Sequence, residues 1–243
     1  MKVIILSAGQ GRRLLPLTAG MPKCGVKVGA RSILEWQLRE ISRCDIDEVT
    51  IVTGFHADYV DEMVENVKGP PIRTVHNPFY DASDNLGTCW IARYEMADEF
   101  VILNGDTLFE AEVMRKLLST KPSKPITLAI DTKKFYDEDD MKVVFSRGEL
   151  ARVGKKLPLD KVNGESIGMI VFRGNGPEIF VNEIDRLIRT AKGLKLWYLS
   201  AIDSLANRGV VNVCDINGLS WCEVDDHADL SDALSVVSGW NDL

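Results

Sequence analysis

Three groups of polar residues in this sequence have the types and spacing that phosphate chemistry requires. The first is a glycine-rich stretch with two basic side chains, Arg13 and Lys23. Its glycines let backbone N–H groups approach a phosphate closely. The second is Asp106, which follows a glycine after an apolar run, and the third is the acidic segment around Asp225. Because Mg²⁺ prefers carboxylate and phosphate oxygens, these groups indicate a site for a phosphorylated ligand and a divalent cation.

The elements that must position these groups alternate along the first half of the chain. Short β-branched runs alternating with helical patterns are typical of βα units around a largely parallel sheet that is buried on both faces. Strands are predicted at 3–6, 49–52, 72–75, 100–103 and 126–130. Helices are predicted after a capping box at Ser32 and Glu35, along the stripe 60–67, and at 86–97 and 111–118. Ligands bind beyond the carboxyl ends of such strands, where the polar groups stand.

The alternation of strands and helices stops at about residue 131. Strand-like runs at 141–145, 150–153 and 166–172 follow one another without helices, which predicts antiparallel strands. Helices at 177–191 and 197–207, a strand at 211–213 and a helix from about 229 complete the pattern. We therefore expect one domain over 1–243, an α/β fold of the Rossmann-like, doubly wound kind. A mainly parallel mixed sheet would form the middle of three α/β/α layers, and an antiparallel insertion over 131–175 would form one wall of the site.

Composition excludes several classes of protein. The 243 residues include 29 Lys and Arg against 36 Asp and Glu, so the net charge of -7 argues against a nucleic-acid partner. No apolar run approaches the roughly 20 residues of a membrane span, and the run at 3–6 is too short for a signal peptide. The odd number of cysteines, without C-x-x-C spacing, argues against a disulfide framework or zinc site. We expect a cytoplasmic protein without membrane insertion.

The stretch 6–23 reads L-S-A-G-Q-G-R-R-L-L-P-L-T-A-G-M-P-K. Its pattern, L-S-A-G-x-G-x-R-L-x-P-L-T-x-x-x-P-K, resembles the signature of the nucleotidyltransferases that join a nucleoside triphosphate to a sugar phosphate or an alcohol phosphate. The departure is Ser7, where the family usually has Ala. The resemblance implies that Arg13 and Lys23 bind phosphates and that the loop holds base and triphosphate through Ser7, Ala8, Gly9 and Gly11. From the residues alone, a tight strand-to-helix turn with solvated arginines remains an alternative.

The resemblance also makes Asp106 the first ligand of a Mg²⁺ cofactor. The late segment W-C-E-V-D-D-H-A-D-L is similar to the family pattern W-x-E-[IV]-D-x-x-x-D-L. Strand alternation puts Glu223 and Asp225 on one face, so that Asp225 can reach the metal on Asp106. By itself, Asp106 could instead cap the helix that follows. Asp229 is predicted to cap the last helix.

A third segment, 76–90, resembles the N-P-x-Y-x-x-x-N-N-x-x-S-L-W element of one branch of this family. That branch includes phosphocholine, aminoethylphosphonate and inositol-phosphate cytidylyltransferases. Asn85 matches the element, whereas Asp84 replaces its first Asn. The resemblance favours CTP, with Asp84 and Asn85 as nucleotide-binding residues. The same residues are compatible with Asp84 as the N-cap of the 86–97 helix and Trp90 in the core.

Residues for the acceptor come from the segment after 131. The D-x-M-K-V and G-E-x-I-G patterns of the cytidylyltransferase branch imply that Lys142 faces the acceptor phosphate and Glu165 its polar end. Lys155 is a further candidate for the phosphate. The acids at 137–140 beside Tyr136 could attract an acceptor that carries an ammonium group, by charge and by a cation–π contact. Surface positions for Lys155 and Glu165, and a solvated face for the acids, remain alternatives.

These residues predict a reaction without a general base. A phosphate monoester carries a charge of about -1.5 to -2 at neutral pH and is already a nucleophile. It would attack the α-phosphorus of an NTP, with pyrophosphate leaving in line, while Arg13, Lys23, Asp106 and Asp225 act as catalytic residues. The partners would be an NTP, preferably CTP, and a phosphorylated alcohol, phosphonate, amide or sugar. The product would be an activated donor for decorating a surface polysaccharide or lipid.

Other functions share some of these residues. A sugar-1-phosphate uridylyl- or guanylyltransferase would use the same phosphate-binding side chains. A non-catalytic nucleotide-binding protein would lack one of the carboxylates or the lysine, which are all present. A nicotinamide-dependent oxidoreductase is disfavoured, because Thr53 and Gly54 stand where an acidic residue is needed. A homodimer is left open.

Overall fold

The structure is a computed structural model that describes residues 1–121 and 123–240, so the end of the predicted 1–243 domain lies outside the described residues. The strands are β1 (Lys2–Ser7), β2 (Lys27–Val28), β3 (Arg31–Ser32), β4 (Glu48–Thr53), β5 (Ile72–His76), β6 (Phe100–Asn104), β7 (Thr107–Phe109), β8 (Ile126–Asp131), β9 (Lys142–Ser146), β10 (Glu149–Val153), β11 (Gly164–Phe172), β12 (Val211–Asp215) and β13 (Trp221–Glu223). The helices are α1 (Ile33–Ser42), α2 (Ala57–Val64), α3 (Asn85–Ile91), α4 (Ala111–Ser119), α5 (Gly176–Ile188), α6 (Leu199–Ala206) and α7 (His227–Ser238).

A nine-stranded mixed sheet runs through the centre in the order β5-β4-β1-β6-β11-β8-β12-β10-β9. The pairs β4–β5, β1–β4, β1–β6 and β8–β12 are parallel, whereas β11 runs antiparallel to β6 and β8. Strand β9 also returns to pair with the first residues of β11. The prediction of a mainly parallel mixed sheet is confirmed.

Helices cover both faces of this sheet. On one face, α1, α2 and α4 contribute apolar side chains such as Leu38, Val60 and Leu117 to one core cluster. On the other face, α3, α5 and α6 do the same through side chains such as Phe180 and Ile202. Every residue of β11 is buried, which is expected of a strand covered on both sides. The predicted three-layer α/β/α arrangement is therefore confirmed.

The strand directions decide where a site can form. Strands β1, β6 and β8 all end at one edge of the sheet, and β11 begins there because it runs the opposite way. The loop after β1, the turn after β6 and the first residues of β11 consequently meet at this edge. The range 131–175, predicted as an insertion, contains β11, which lies in the middle of the sheet, whereas β9 and β10 lie at its end.

A local signal explains where helix α1 begins. Helix α1 starts at the predicted capping box, in which the Ser32 hydroxyl accepts from the Glu35 N–H and the Glu35 carboxylate accepts from the Ser32 N–H. Helix α2 ends at Val64, earlier than the predicted stripe to residue 67, and α3 ends at Ile91 and continues as a 3-10 turn. No helix among residues 1–121 and 123–240 is long and apolar enough to cross a membrane.

Candidate active site

The loop after β1 is shaped by two glycines that have different surroundings. Gly11 has a left-handed φ of 73°, and a Cβ atom there would lie 2.8 Å from the Cβ of Lys23. Only glycine fits this position without displacing Lys23. A Cβ atom on Gly9 would meet no other residue within 4 Å, because the loop faces open space. The loop therefore directs Lys23 inward and leaves room beside Gly9 for a ligand. Ser7 and Ala8, which precede Gly9, are buried.

The Lys23 ammonium lies between the two predicted metal-binding carboxylates. Its Nζ is 2.7 Å from Oδ2 of Asp106 and 2.6 Å from Oδ1 of Asp225. The guanidinium of Arg13 lies 2.7 Å from the other oxygen of Asp225. The structure thus brings together all four residues predicted to be catalytic, although Asp106 and Asp225 are far apart in the sequence.

Backbone pairing explains why the two acids converge. Strand β13 pairs with β7, so that Glu223 stands opposite Thr107. One residue beyond this pair, the N–H of Val224 donates to the carbonyl oxygen of Asp106 at 3.1 Å. The segment that follows β13 and carries Asp225 is therefore hydrogen-bonded directly to the turn that carries Asp106.

The start of α7 fixes Asp225 from the other side. Asp226 is the N-cap of this helix, and the Asp229 carboxylate accepts from the N–H groups of both Asp225 and Asp226. The prediction that Asp229 caps the last helix is refined: Asp229 completes the capping box of Asp226 and also holds the backbone of Asp225. The helix begins at His227, two residues before the predicted start.

A residue that the sequence analysis missed, Gln37 of α1, supports the turn that carries Asp106. Its buried side-chain amide donates to the carbonyl oxygens of Asn104 and Thr107, both at 2.8 Å. These two carbonyls flank Asp106 in the chain. The sequence does contain a signal for this role, because Gln37 is a polar residue on the apolar stripe of α1 that contains Leu34 and Leu38.

The charges of the site shift the pKa values of several groups. Burial lowers the pKa of Lys23, but Asp106 and Asp225 outweigh this effect and raise it above its ordinary value. Burial raises the pKa of Asp225, but Lys23 and Arg13 outweigh this effect and hold it below its ordinary value. Burial, together with repulsion from Asp106 and Asp225, raises the pKa of Glu223 to about 8. The site therefore holds more negative charge than its own basic residues neutralise.

The two carboxylates are suited to a divalent cation. Oxygens of Asp106 and Asp225 already lie within hydrogen-bonding distance of one positive charge, the Lys23 ammonium. Within the described ranges there is no group of three or more His, Cys, Asp and Glu side chains that could enclose a metal ion. This donor set fits Mg²⁺, which is commonly bound through one or two carboxylates together with substrate phosphates.

A cavity of about 230 Å³ opens beside these acids, and we call it the central cavity. Two residues predicted from the sequence line it together with Asp106 and Asp225: Asn85, from the start of α3, and Lys155. Its lining comprises Asn85, Asn104, Asp106, Asp139, Met141, Lys155, Ser166, Gly168, Trp197, Leu199, Glu223 and Asp225. Asp84 is at the N-cap position of α3, but its side chain makes no capping hydrogen bond. Trp90 is half-buried and donates to Asp185 at 2.6 Å.

A second cavity of about 390 Å³ adjoins the central cavity, and we call it the acidic cavity. Its basic lining residues are Arg13 and Lys133, whereas its acids are Asp137, Asp139, Asp140, Glu165, Glu223, Asp225, Asp226, Asp229 and Asp232. The predicted acceptor residue Glu165 is buried here, and its carboxylate lies 2.9 Å from the ammonium of Lys133. Burial raises the pKa of Glu165 to about 7. Lys133 was missed by the sequence analysis because it lies in a segment without a recognisable pattern.

Two predicted acceptor residues lie outside both linings. Lys142 is buried, and its ammonium donates to the backbone carbonyls of Glu138, Asp140 and Lys155 at 3.1–3.3 Å. In this conformation Lys142 holds two loops together and lines neither cavity. The hydroxyl of Tyr136 accepts from the N–H of Lys133 and borders a separate hollow. Their roles in acceptor binding remain predictions.

Comparison with known proteins defines the class. Residues 3–161 match the MobA-like NTP transferase domain, so the chain belongs to this family. The predicted membership of the nucleotidyltransferases is confirmed.

Individual relatives fall within the predicted branch. The chain is 26% identical over 258 residues to a CTP:phosphoglutamine cytidylyltransferase from Campylobacter jejuni, covering 95% of this chain and 98% of that protein. It is 28% identical over 240 residues to a bifunctional IPC transferase and DIPP synthase from Rubrobacter xylanophilus, covering 97% of this chain but only 52% of that protein. The chain thus spans about half of some relatives and nearly all of others.

Solved structures share the fold. The inositol-1-phosphate CTP transferase from T. maritima superposes with a TM-score of 0.82 at 17% identity, over 98% of this chain and 96% of that chain. The CTP:phosphocholine cytidylyltransferase from Streptococcus pneumoniae gives 0.76 at 20% identity, over 97% and 98%. At these identities the likeness supports the Rossmann-like fold alone.

Proposed function

We propose that this protein transfers a cytidylyl group from CTP to the phosphate of a small phosphorylated molecule and releases pyrophosphate. Relatives named for cytidylyl transfer to phosphoglutamine and choline phosphate support the nucleotide and the type of acceptor. The observation that carries the proposal is the contact of one ammonium, that of Lys23, with both Asp106 and Asp225.

Some side chains of the site are proposed to bind the substrates, and others are proposed to neutralise charge. Arg13 is half-exposed beside Asp225, so its guanidinium can turn to the phosphates of the nucleotide. Lys23 would leave the carboxylates and stabilise charge that develops on the α-phosphoryl group and the pyrophosphate. Asp106 and Asp225 would hold Mg²⁺, which when bound neutralises negative charge between the nucleotide and the acceptor. Asp84 and Asn85 are proposed to contact the nucleotide, at the start of α3.

The acceptor is proposed to carry positive charge at the end remote from its phosphate. Acids dominate the lining of the acidic cavity, and Glu165 and Asp140 share the single ammonium of Lys133. Trp221 adds an aromatic wall to the same cavity. An ammonium group would gain from both the negative potential and the aromatic face.

The product would be a nucleotide-linked donor, which we propose serves the decoration of a surface polysaccharide or lipid. All five cysteines, Cys24, Cys44, Cys89, Cys214 and Cys222, are free thiols. Free thiols are typical of a reducing compartment, and we therefore propose a cytoplasmic location.

A pyrophosphate-release screen tests this proposal. The purified chain is mixed with MgCl₂, one of CTP, UTP, GTP or ATP, and one acceptor from a panel of phosphocholine, 2-aminoethylphosphonate, phosphoglutamine, inositol 1-phosphate and glucose 1-phosphate. We expect release with CTP and an amine-bearing or amide-bearing acceptor, and none from Asp106→Asn. Preferred turnover of UTP or GTP with glucose 1-phosphate would instead identify a sugar-1-phosphate nucleotidyltransferase.

A further inference from the structure

Asn104 is the last residue of β6 and lies two positions before Asp106. Its side chain lines the central cavity together with Asp106, Lys155 and Ser166. The sequence resemblance assigns no role to Asn104, and the contacts that hold it come from two distant parts of the chain.

The orientation of the amide is set by Tyr198. The hydroxyl of this fully buried tyrosine donates to Oδ1 of Asn104 at 3.0 Å. The backbone N–H of Tyr198 in turn donates to Oδ1 of Asn85 at 2.8 Å, at the start of α3. With its oxygen engaged, the amide presents its Nδ2 donor in the opposite direction. In the described part of the chain, Nδ2 donates to no protein acceptor.

Space for this donor is provided by Gly168 of β11. Gly168 has a left-handed φ of 72°, and the register of β11 against β8 shifts between Ser166 and Ile170. A Cβ atom on Gly168 would lie 2.4 Å from Nδ2 of Asn104. Any other residue at 168 would be strained and would displace the amide. The backbone irregularity of β11 thus accommodates an unpaired donor at the cavity wall.

We propose that Asn104 binds the phosphate group of the acceptor, with Nδ2 donating a hydrogen bond to a phosphate oxygen. This inference rests on the proposed function and assigns a residue to the acceptor side of that site. The carboxylates of Asp106 and Asp225 repel a phosphate. A neutral donor at position 104 adds no negative charge to them and offers the phosphate a hydrogen bond. Tyr198 is then a positioning residue that acts through Asn104.

A binding experiment with inorganic phosphate tests the contact without needing turnover. In ¹H–¹⁵N spectra of the uniformly labelled protein, the side-chain NH₂ signals of Asn104 are assigned by their loss in Asn104→Ala. We expect these signals to move saturably during a phosphate titration and to stay in place in sodium chloride of equal ionic strength. Stationary Asn104 signals, while other resonances respond to phosphate, would overturn the proposal.

Kinetics test the roles of Asn104 and Tyr198 in turnover. Since a hydrogen bond to a charged group is strong, Asn104→Ala should raise the acceptor KM by about tenfold or more, and Asn104→Asp by more than that. The KM for CTP should stay within about twofold. Tyr198→Phe should raise the acceptor KM in the wild-type background and have little effect in Asn104→Ala, because coupled residues are not additive.

The exposed Tyr94 provides a matched control, since Tyr94→Phe also removes one hydroxyl and should change neither KM. Thermal unfolding of each variant confirms that it is folded. Equal changes in both KM values, or additive effects of Tyr198→Phe and Asn104→Ala, would contradict the assignment. If no acceptor supports pyrophosphate release but Asn104 still responds to phosphate, the phosphate contact stands and the proposed function fails.

Discussion

Replacing Lys23 by methionine should make the stability of the protein more sensitive to a divalent cation. The Lys23 ammonium neutralises two carboxylates at 2.6 and 2.7 Å, whose side chains are each only 27% exposed. Without it, two negative charges roughly 5 Å apart, at an effective dielectric constant of about 20, repel each other by about 3 kcal/mol. Arg13 still contacts Asp225, so we expect a net loss of about 1–3 kcal/mol.

Thermal unfolding with and without MgCl₂ measures this effect. In a chain of this size, that loss should lower the Tm of Lys23→Met by roughly 2–10 °C without Mg²⁺. Added Mg²⁺ should restore more stability to the variant than to the wild type, because the ammonium no longer competes for the carboxylates. Turnover should nevertheless fall by about tenfold to a thousandfold, since a donor to the transition state is lost.

The control for this experiment is Lys27→Met. Lys27 pairs with Glu35 at the surface and is 56% exposed, so its removal should change neither the stability nor the response to Mg²⁺. If Lys23→Met were as stable as the wild type without Mg²⁺ and responded no more strongly to the cation, the ammonium would not be neutralising a metal-binding pair.

Three further predictions concern the surroundings of the site. Gly11→Ala should lower the Tm and the turnover, because the left-handed φ costs about 1–2 kcal/mol and the methyl group collides with the neighbouring lysine. Gly9→Ala should keep the Tm but weaken CTP binding. An equal loss of Tm in both variants would contradict this. Gln37→Leu should lower the free energy of unfolding in urea by about 2–4 kcal/mol and reduce turnover, because the buried carbonyl of Thr107 and the partly buried carbonyl of Asn104 lose their donor. Unchanged turnover would show that the turn keeps its shape without Gln37. Burial raises the pKa of Glu165 from 4.5 to about 7, so the protonated carboxyl stabilises the folded protein. This stabilisation is present in full below about pH 4.5 and is lost as the pH rises to about 7. Glu165→Gln should therefore flatten the decrease of Tm across this interval, and an unchanged slope would contradict the shift.

The alternation of strands and helices predicted the fold because buried parallel strands and amphipathic helices leave clear periodic patterns. It also placed Asp106 and the glycine loop at the same sheet edge, since parallel strands end together. The position of β11 was harder to predict. A strand-like run shows that a strand forms but does not show which neighbours it pairs with, and β11 lies between β6 and β8.

The catalytic residues of the site were predicted because their motifs resemble those of a known family. The motif residues Arg13, Lys23, Asp106 and Asp225 do converge, as that resemblance implied. The direction in which a side chain points was harder to predict from the sequence. Lys142 fits a phosphate-binding motif, yet its ammonium is satisfied by three carbonyls of neighbouring loops. Contacts of this kind depend on loop conformations that no local pattern specifies.

Binding of Mn²⁺, observed by electron paramagnetic resonance, tests most directly whether Asp106 and Asp225 hold one divalent cation jointly. With CTP present, we expect the wild type to bind Mn²⁺ and both Asp106→Asn and Asp225→Asn to bind it at least about tenfold more weakly. Asp226→Asn is the matched control, because asparagine is also a good N-cap and this variant should bind Mn²⁺ like the wild type. Wild-type Mn²⁺ affinity in both site variants would contradict the central claim.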